Sequence, residues 1–187
     1  VYAGRLYCNR WKTLSAIGDA LMELNRDSLK AELYIYSQDI LNEKQVQAFS
    51  KDKYIHFMGA INPTKLQQIY RDADIALHVE SFDKKNMYAT MYSFSTKIID
   101  LMASTCAIMA ICWDENNGWK YLKSNDAAIC LSKISQILPT FKKLTDNPLI
   151  ISDYALKAYN CAKNNHSREK IQKQIRDKFS TIVHENM

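Results

Sequence analysis

FSTKIIDLMASTCAIMAI, residues 94–111, reads as a helix over 95–104 followed almost at once by an apolar strand over 107–111. Ile98, Leu101 and Met102, with Thr105, recur at helical spacing and form the face expected to be buried, while Asp100 lies off that stripe. The helix opens on Ser95, Thr96 and Lys97. Helix N-termini present unpaired N–H groups and the positive end of a dipole, so two hydroxyls and a lysine placed there suit a phosphate or diphosphate.

Outward from this block, short β-rich runs alternate with helix-period runs. Strands are expected at 1–3, 32–36, 54–58, 75–79, 107–111 and 128–131, and helices at 13–25, 42–49, 63–72, 95–104 and 118–123. That alternation predicts an α/β fold, a doubly wound parallel sheet of six strands. From Lys133 onward the pattern is helical only, with breaks near Asn147-Pro148 and Asn164-Asn165, so a helical extension over about 133–187 follows the sheet. No internal repeat or Pro/Gly linker divides the chain, and one domain over 1–187 is expected.

Composition agrees: 187 residues, 47% hydrophobic and 11% aromatic, suffice for one globular domain with a real core. Charge is uneven. Residues 141–187 hold 9 of the 25 Lys+Arg and 5 of the 20 Asp+Glu, which leaves 16 against 15 for the first 140. The body is near neutral, and a solvated helix face is the plain reading of the basic tail. No DNA- or RNA-binding signature accompanies it, and no nucleic-acid partner is expected.

Cys8, Cys106, Cys112, Cys130 and Cys161 are odd in number and lack CxxC spacing, which points to reduced thiols in a cytoplasmic protein rather than a disulfide framework or zinc site. No run resembles a signal peptide or reaches the roughly eighteen apolar residues of a membrane span. The chain opens without Met, directly on the strand-like VYAG, and is expected to be a fragment of a longer protein.

In doubly wound sheets ligands sit outside the carboxyl ends of the strands, at the switch point between the first and fourth strands in the common order. Two segments meet there: the turn GRLYCNRWK, residues 4–12, and the connection from Val79 to Ser95. That connection exceeds the usual length of about two to six residues, which marks it as functional or mobile.

Several blocks resemble the C-terminal, nucleotide-sugar-binding domain of retaining GT-B glycosyltransferases. YAGRLYCNRWKTLSAIGDAL is similar to that family's first strand, Gly-containing turn and Arg/Lys segment; YIHFMGAI to its base-binding turn; YRDADIALHVES to a helix and the strand after it. FSTKIIDLMAS resembles the diphosphate-binding helix, and TCAIMAI stands where the family has a Gly-x-Pro-Val-type strand. The resemblance covers nearly the whole chain and implies a Rossmann-like fold.

It also implies roles. Arg10 and Lys12, catalytic by neutralising the departing diphosphate, would act without a metal, and Arg10's planar fork suits two phosphoryl oxygens. Gly4 and Arg5 would border the donor; Ser95, Thr96 and Lys97 would hold phosphate; Asp100 stands where the family carries the second glutamate of its paired-glutamate motif, which holds the ribose. Gly59 would let the base approach, with Ile61 along its edge. Two departures stand out. Eight positions before Asp100 is Tyr92, where the family has its first glutamate, and Glu80 precedes an unusual segment, FDKKNMYATMYS, yet is still expected to turn toward the sugar. Thr105 and Ala107 replace the usual Gly and Pro.

His56, His78, His166 and His184 show no metal spacing and no nucleophile partner, and they are read as structural or surface residues. No metal site and no tightly bound cofactor are expected. The function implied is transfer of a sugar from a nucleoside-diphosphate sugar to an acceptor hydroxyl in polysaccharide or glycoconjugate synthesis. The nucleotide sugar is the expected partner, along with an N-terminal Rossmann-like acceptor domain absent from this chain and peripheral membrane contact of the full-length enzyme. The isolated chain is expected to bind nucleotide weakly and turn over little, with the last helix leaning toward the other half. A sugar-nucleotide epimerase of the same architecture and a non-catalytic nucleotide-binding or regulatory module remain alternatives. A dinucleotide oxidoreductase is disfavoured, because no G-x-G-x-x-G follows the first strand.

Overall fold

The computed structural model describes residues 1–185. Its strands are β1 (Tyr2–Ala3), β2 (Leu33–Tyr36), β3 (Ile55–Gly59), β4 (Ile75–Val79), β5 (Ala107–Ile111) and β6 (Ile129–Leu131). Among the described residues the helices are α1 (Arg10–Leu24), α2 (Glu43–Ser50), α3 (Pro63–Asp72), α4 (Lys84–Thr90), α5 (Lys97–Ala103), α6 (Asn117–Ser124), α7 (Ile137–Asp146), α8 (Leu149–Asn165) and α9 (Arg168–Glu185).

All strand pairs are parallel, but the expected single six-stranded ladder is not formed. Two three-stranded sheets stand side by side, β1-β2-β3 and β4-β5-β6. At their seam the Val1 nitrogen donates to Ile75 O at 2.7 Å and Leu77 N donates to Val1 O at 2.8 Å. Tyr2 and Ala3 pair with Ile35 and Tyr36 of β2, and Val1 carries the link to β4.

Helices cover both faces, as double winding requires. On one face Leu33 and Ile35 of β2 and Leu77 and Val79 of β4 join Leu14, Ile17 and Leu21 of α1 and Phe141 of α7 in one core. That core belongs to both sheets, so packing holds together what hydrogen bonds barely link. On the other face Ala76, Ile108 and Ala110 meet Ile98 and Met102 of α5, Leu122 of α6 and Ala158 of α8. The strands alternate between these cores with period two. Every residue of β5 is buried, which places it centrally in its sheet.

Two local differences from the sequence pattern bear on the site. α1 starts at Arg10, three residues before the expected start, because Cys8 and Asn9 turn left-handed with φ of 54° and 58° and swing the chain straight into the helix. Asn tolerates that backbone better than most residues. The connection from β4 to α5 contains α4, whose N-cap Asp83 accepts from Asn86 N at 3.2 Å. With seven residues and its one aromatic, Tyr88, on the solvent side, α4 leaves no apolar stripe to read.

The breaks at Asn147-Pro148 and Asn164-Asn165 fall between α7 and α8 and at the end of α8. Ala158 and Cys161 pack α8 onto the sheet, whereas residues 168–182 of α9 are all exposed. Among the described residues no helix is long and apolar enough to cross a membrane.

Candidate functional site at the seam

The carboxyl ends of β1 and β4 meet where the two sheets adjoin. Gly4 N donates to Tyr36 O and Ser37 N to Gly59 O, each at 2.9 Å, so the first sheet's pairing runs to its carboxyl edge. Just past β4, Glu80 N donates to Ile111 O at 3.1 Å, and the Thr13 hydroxyl donates to Glu80 O at 2.7 Å. The glutamate backbone is thereby pinned between β5 and α1. Its carboxylate takes two parallel bonds from Arg10, Nε to Oε2 at 2.9 Å and Nη2 to Oε1 at 2.8 Å. The two side chains keep 14% and 7% of their surface exposed. Tyr7 lies against the guanidinium, 4.7 Å from ring centroid to Cζ.

Lys97, the first residue of α5, reaches the end of β1: its Nζ donates to Ala3 O at 3.3 Å and lies 5.6 Å from the centre of the Tyr2 ring. Gly4 allows this approach, since a Cβ there would stand 2.1 Å from Lys97 Nζ. Tyr2 O–H donates to Arg5 O at 2.6 Å. Cations from α1 and α5, which pack on opposite faces, thus converge on one edge.

Electrostatics separates these cations. Burial pulls the Arg10 guanidinium down, but the hydrogen bonds and charge of Glu80 outweigh it and its pKa is raised. Lys97 retains exposed surface, yet the protein around its ammonium lowers its pKa, with Arg10 adding to that and Glu80 opposing it. His78, buried on β4 with no partner for Nε2, is pushed down to about 3 by desolvation and then by Lys97 and Arg10. Its ring stays neutral at ordinary pH.

No family model matches the sequence, and no curated protein matches it. Solved structures do match the fold. S. aureus TarM, solved with UDP and alpha-GlcNAc-glycerol, superposes with a TM-score of 0.70 at 12% identity over 94% of this chain and 34% of its own. Anabaena HepE with UDP-glucose gives 0.68 at 14% identity over 96% of this chain and 48% of its own. The C-terminal domain of the Francisella tularensis glycosyl transferase LpcC gives 0.60 at 16% identity, covering 90% of this chain and 84% of that domain. The fold is that of a GT-B glycosyltransferase C-terminal domain. The chain spans about a third to a half of the length of TarM and HepE.

Within this GT-B fold the residues expected from the sequence separate into two groups. Gly4, Arg10, Glu80 and Lys97 come together at the seam. Glu80 is engaged by Arg10, which corrects the expectation of a carboxylate turned toward a sugar. Arg5 pairs instead with Asp39 at 3.0 Å. Lys12 is exposed, its ammonium 5.8 Å from the centre of the Trp11 ring, and joins neither Arg10 nor Lys97. The helix starts at Lys97 rather than Ser95; Thr96 is its N-cap without a side-chain cap bond, and Ser95 O accepts from Ile98 N at 3.0 Å. Asp100 is exposed in the first turn of α5. Gly59, with φ of 75° and open space at its Cβ position, ends β3 two strands from β1, and Ile61 follows half-buried. Thr105, expected on the buried face of α5, is exposed beyond the helix with φ of 69°.

Asp83 was not expected and organises the rim. It accepts from the Ser81 hydroxyl, from Asn9 Nδ2 at 3.1 Å and from Asn86 Nδ2 at 2.8 Å, and these bonds, Ser81's first, hold its carboxyl well below the usual range. The two connections flanking the seam are therefore tied to each other. The legible signal was an Asp placed three residues before an Asn, an N-cap pattern. His56 pairs with Glu32 and His166 with Tyr121, as structural histidines do, while the side chain of His184 lies outside the described residues. All five cysteines are free, three of them buried. Among the described residues no group of three His, Cys, Asp or Glu could hold a metal.

A cavity of about 970 Å³ opens at the other end of the strands, lined by Leu21, Leu24, Leu33, Phe141, Leu144 and Ile151. Its wall is mostly apolar, with Lys30, Glu32, Asp72 and Asp74 along it. The convergent charges lie at the carboxyl edge, where doubly wound sheets bind ligands, and that edge is the candidate site.

Proposed function

We propose that this domain binds the nucleoside diphosphate of a sugar donor at the seam, as the donor half of a glycosyltransferase. The observation that carries the reading is the convergence of Arg10 and Lys97 on the carboxyl ends of β1 and β4. TarM with UDP and HepE with UDP-glucose, which share the fold, support a nucleotide-sugar ligand.

In the transfer, the bond from the anomeric carbon to the diphosphate breaks and the acceptor hydroxyl oxygen bonds to that carbon. Glycoside, nucleoside diphosphate and a proton are the products. Negative charge grows on the leaving phosphoryl oxygens, and fixed cations in a partly dry site stabilise it without reorganising. Glu80 holds the Arg10 fork in place. Lys97, which has no acid partner among the described residues, meets the incoming phosphate. The hydroxyls of Ser95 and Thr96 extend that contact, Gly59 and Ile61 border the base, and Asp100 takes the ribose. Further catalytic groups and part of the acceptor site come from a second Rossmann-like domain that packs on the Ile171, Ile175 and Phe179 face of α9, and this chain alone turns over little.

Thermal-shift titrations with UDP, GDP, ADP and NAD test the reading. At least one nucleoside diphosphate stabilises the domain and NAD does not. A shift with NAD alone, or with none of the four, refutes it.

A further inference from the structure

α4 is built inside out for a surface helix. Its buried or half-buried side holds Asn86, Met87 and Thr90, whose hydroxyl donates to Asn86 O at 2.8 Å. Lys84 and Tyr88 lie on the opposite side, four residues apart. Met91 keeps helical dihedrals, φ −52° and ψ −49°, so the path continues and Tyr92 falls a further turn along the same line. Tyr88 is 73% exposed and Tyr92 85%. Neither large ring contributes to the fold.

Their placement is not scattered. Among the described residues six aromatic side chains are exposed, and four of them, Tyr7, Tyr88, Tyr92 and Phe94, lie on the two connections that flank the Arg10–Glu80 pair. The Asn9–Asp83 bond fastens those connections to each other at the start of α4, while Phe94, further along, packs edge-on against Tyr121 of α6 with ring centroids 5.5 Å apart. Isolated exposed apolar residues need no explanation, but a group beside a site marks a contact surface. Tyrosine presents a flat apolar ring and a hydroxyl, which matches the C–H face and hydroxyl edge of a pyranose. Lys84 and Lys85 are exposed beside them, and neither pairs with an acid among the described residues. The rim is therefore cationic as well as aromatic.

We propose that the outer side of α4, Lys84, Tyr88 and Tyr92 with Lys85, binds the acceptor as a carbohydrate that carries negative charge. The assignment to the acceptor rests on the donor site proposed above, because Asp83, the N-cap of α4, is bonded to Asn9 next to Arg10; the aromatic and cationic match to an anionic sugar chain stands on the rim alone. Tyr92 then does different work from the carboxylate that the family resemblance led one to expect at its position.

The test is calorimetric titration of the intact chain with hexagalacturonate, with neutral maltohexaose and, separately, with UDP. The parent chain binds hexagalacturonate more tightly than maltohexaose. Tyr88→Ala with Tyr92→Ala weakens both about tenfold, and Lys84→Gln with Lys85→Gln removes the preference for the anionic sugar. UDP binding and the melting temperature stay unchanged in both variants. No binding of either oligosaccharide, or binding that the tyrosine pair does not alter, overturns the proposal. So does a parent chain that self-associates and becomes monomeric on Tyr88→Ala with Tyr92→Ala, since the rim is then a contact between copies. Oligosaccharide binding without UDP binding keeps the carbohydrate surface, refutes the donor site and removes the acceptor assignment with it.

Discussion

Arg10, which follows β1, is locked by a buried carboxylate through two hydrogen bonds, whereas Lys97, which follows β4, donates to a backbone carbonyl and lies over a tyrosine ring. The two cations serve one edge from opposite faces of the fold. A locked charge is costly to disturb and sets geometry; a charge without an acid partner is open to an incoming anion. Stability is therefore expected to depend on the first and ligand affinity on the second.

The largest effect comes from breaking the lock. Glu80→Ala leaves the Arg10 guanidinium largely buried and unpaired, and denaturant unfolding is expected to show a loss of about 4 kcal/mol. A loss below about 1 kcal/mol shows that water replaces the carboxylate and that the pair is not structural.

His78 lies close enough to both cations to be shifted by each. With its folded pKa near 3 against an ordinary 6.5, the unfolded chain binds the extra proton between those values. Its contribution is thus fully present above pH 6.5 and is lost as pH falls toward 3, about 3 kcal/mol by pH 4. His78→Leu is expected to flatten that part of the stability profile relative to the parent; identical acid profiles show that the imidazole is not held neutral.

At Lys97 the order reverses. Lys97→Ala is expected to weaken UDP binding about tenfold while stability stays within about 0.5 kcal/mol. Because its pKa is lowered, UDP affinity falls on the alkaline side sooner than an ordinary lysine would dictate, and Lys97→Arg restores a flat profile. A large stability loss in Lys97→Ala erases the contrast with Arg10.

Smallest is a change away from both cations. Thr105 adopts φ of 69°, a backbone conformation that costs a β-branched residue, so Thr105→Gly is expected to stabilise the domain by about 1 kcal/mol in thermal or denaturant unfolding, with UDP binding unaltered.

Much of this fold was legible because its strands and helices carry clean periodicity: α3, β4 and β5 fall at the expected residues. The divided sheet was not legible, since pairing between β1 and β4, 74 residues apart in sequence at the Val1–Ile75 bond, is a tertiary fact that local periodicity does not carry. α4 escaped notice because its one aromatic, Tyr88, faces water, against the rule that periodicity follows burial. Of the residues that meet at the seam, Lys97 was read from its place at a helix start and Arg10 and Gly4 from the family resemblance, while Glu80's engagement with Arg10, 70 residues away in sequence, is a tertiary fact. Arg5 and Lys12 had the right chemistry for the site, but Asp39 and Trp11 claim them.

The structure of this domain with UDP bound tests the central claim most directly. The account predicts the diphosphate between Lys97 and Arg10, over Gly4 at the carboxyl ends of β1 and β4. UDP seated in the aliphatic cavity at the opposite edge, beneath Leu21 and Phe141, would contradict it.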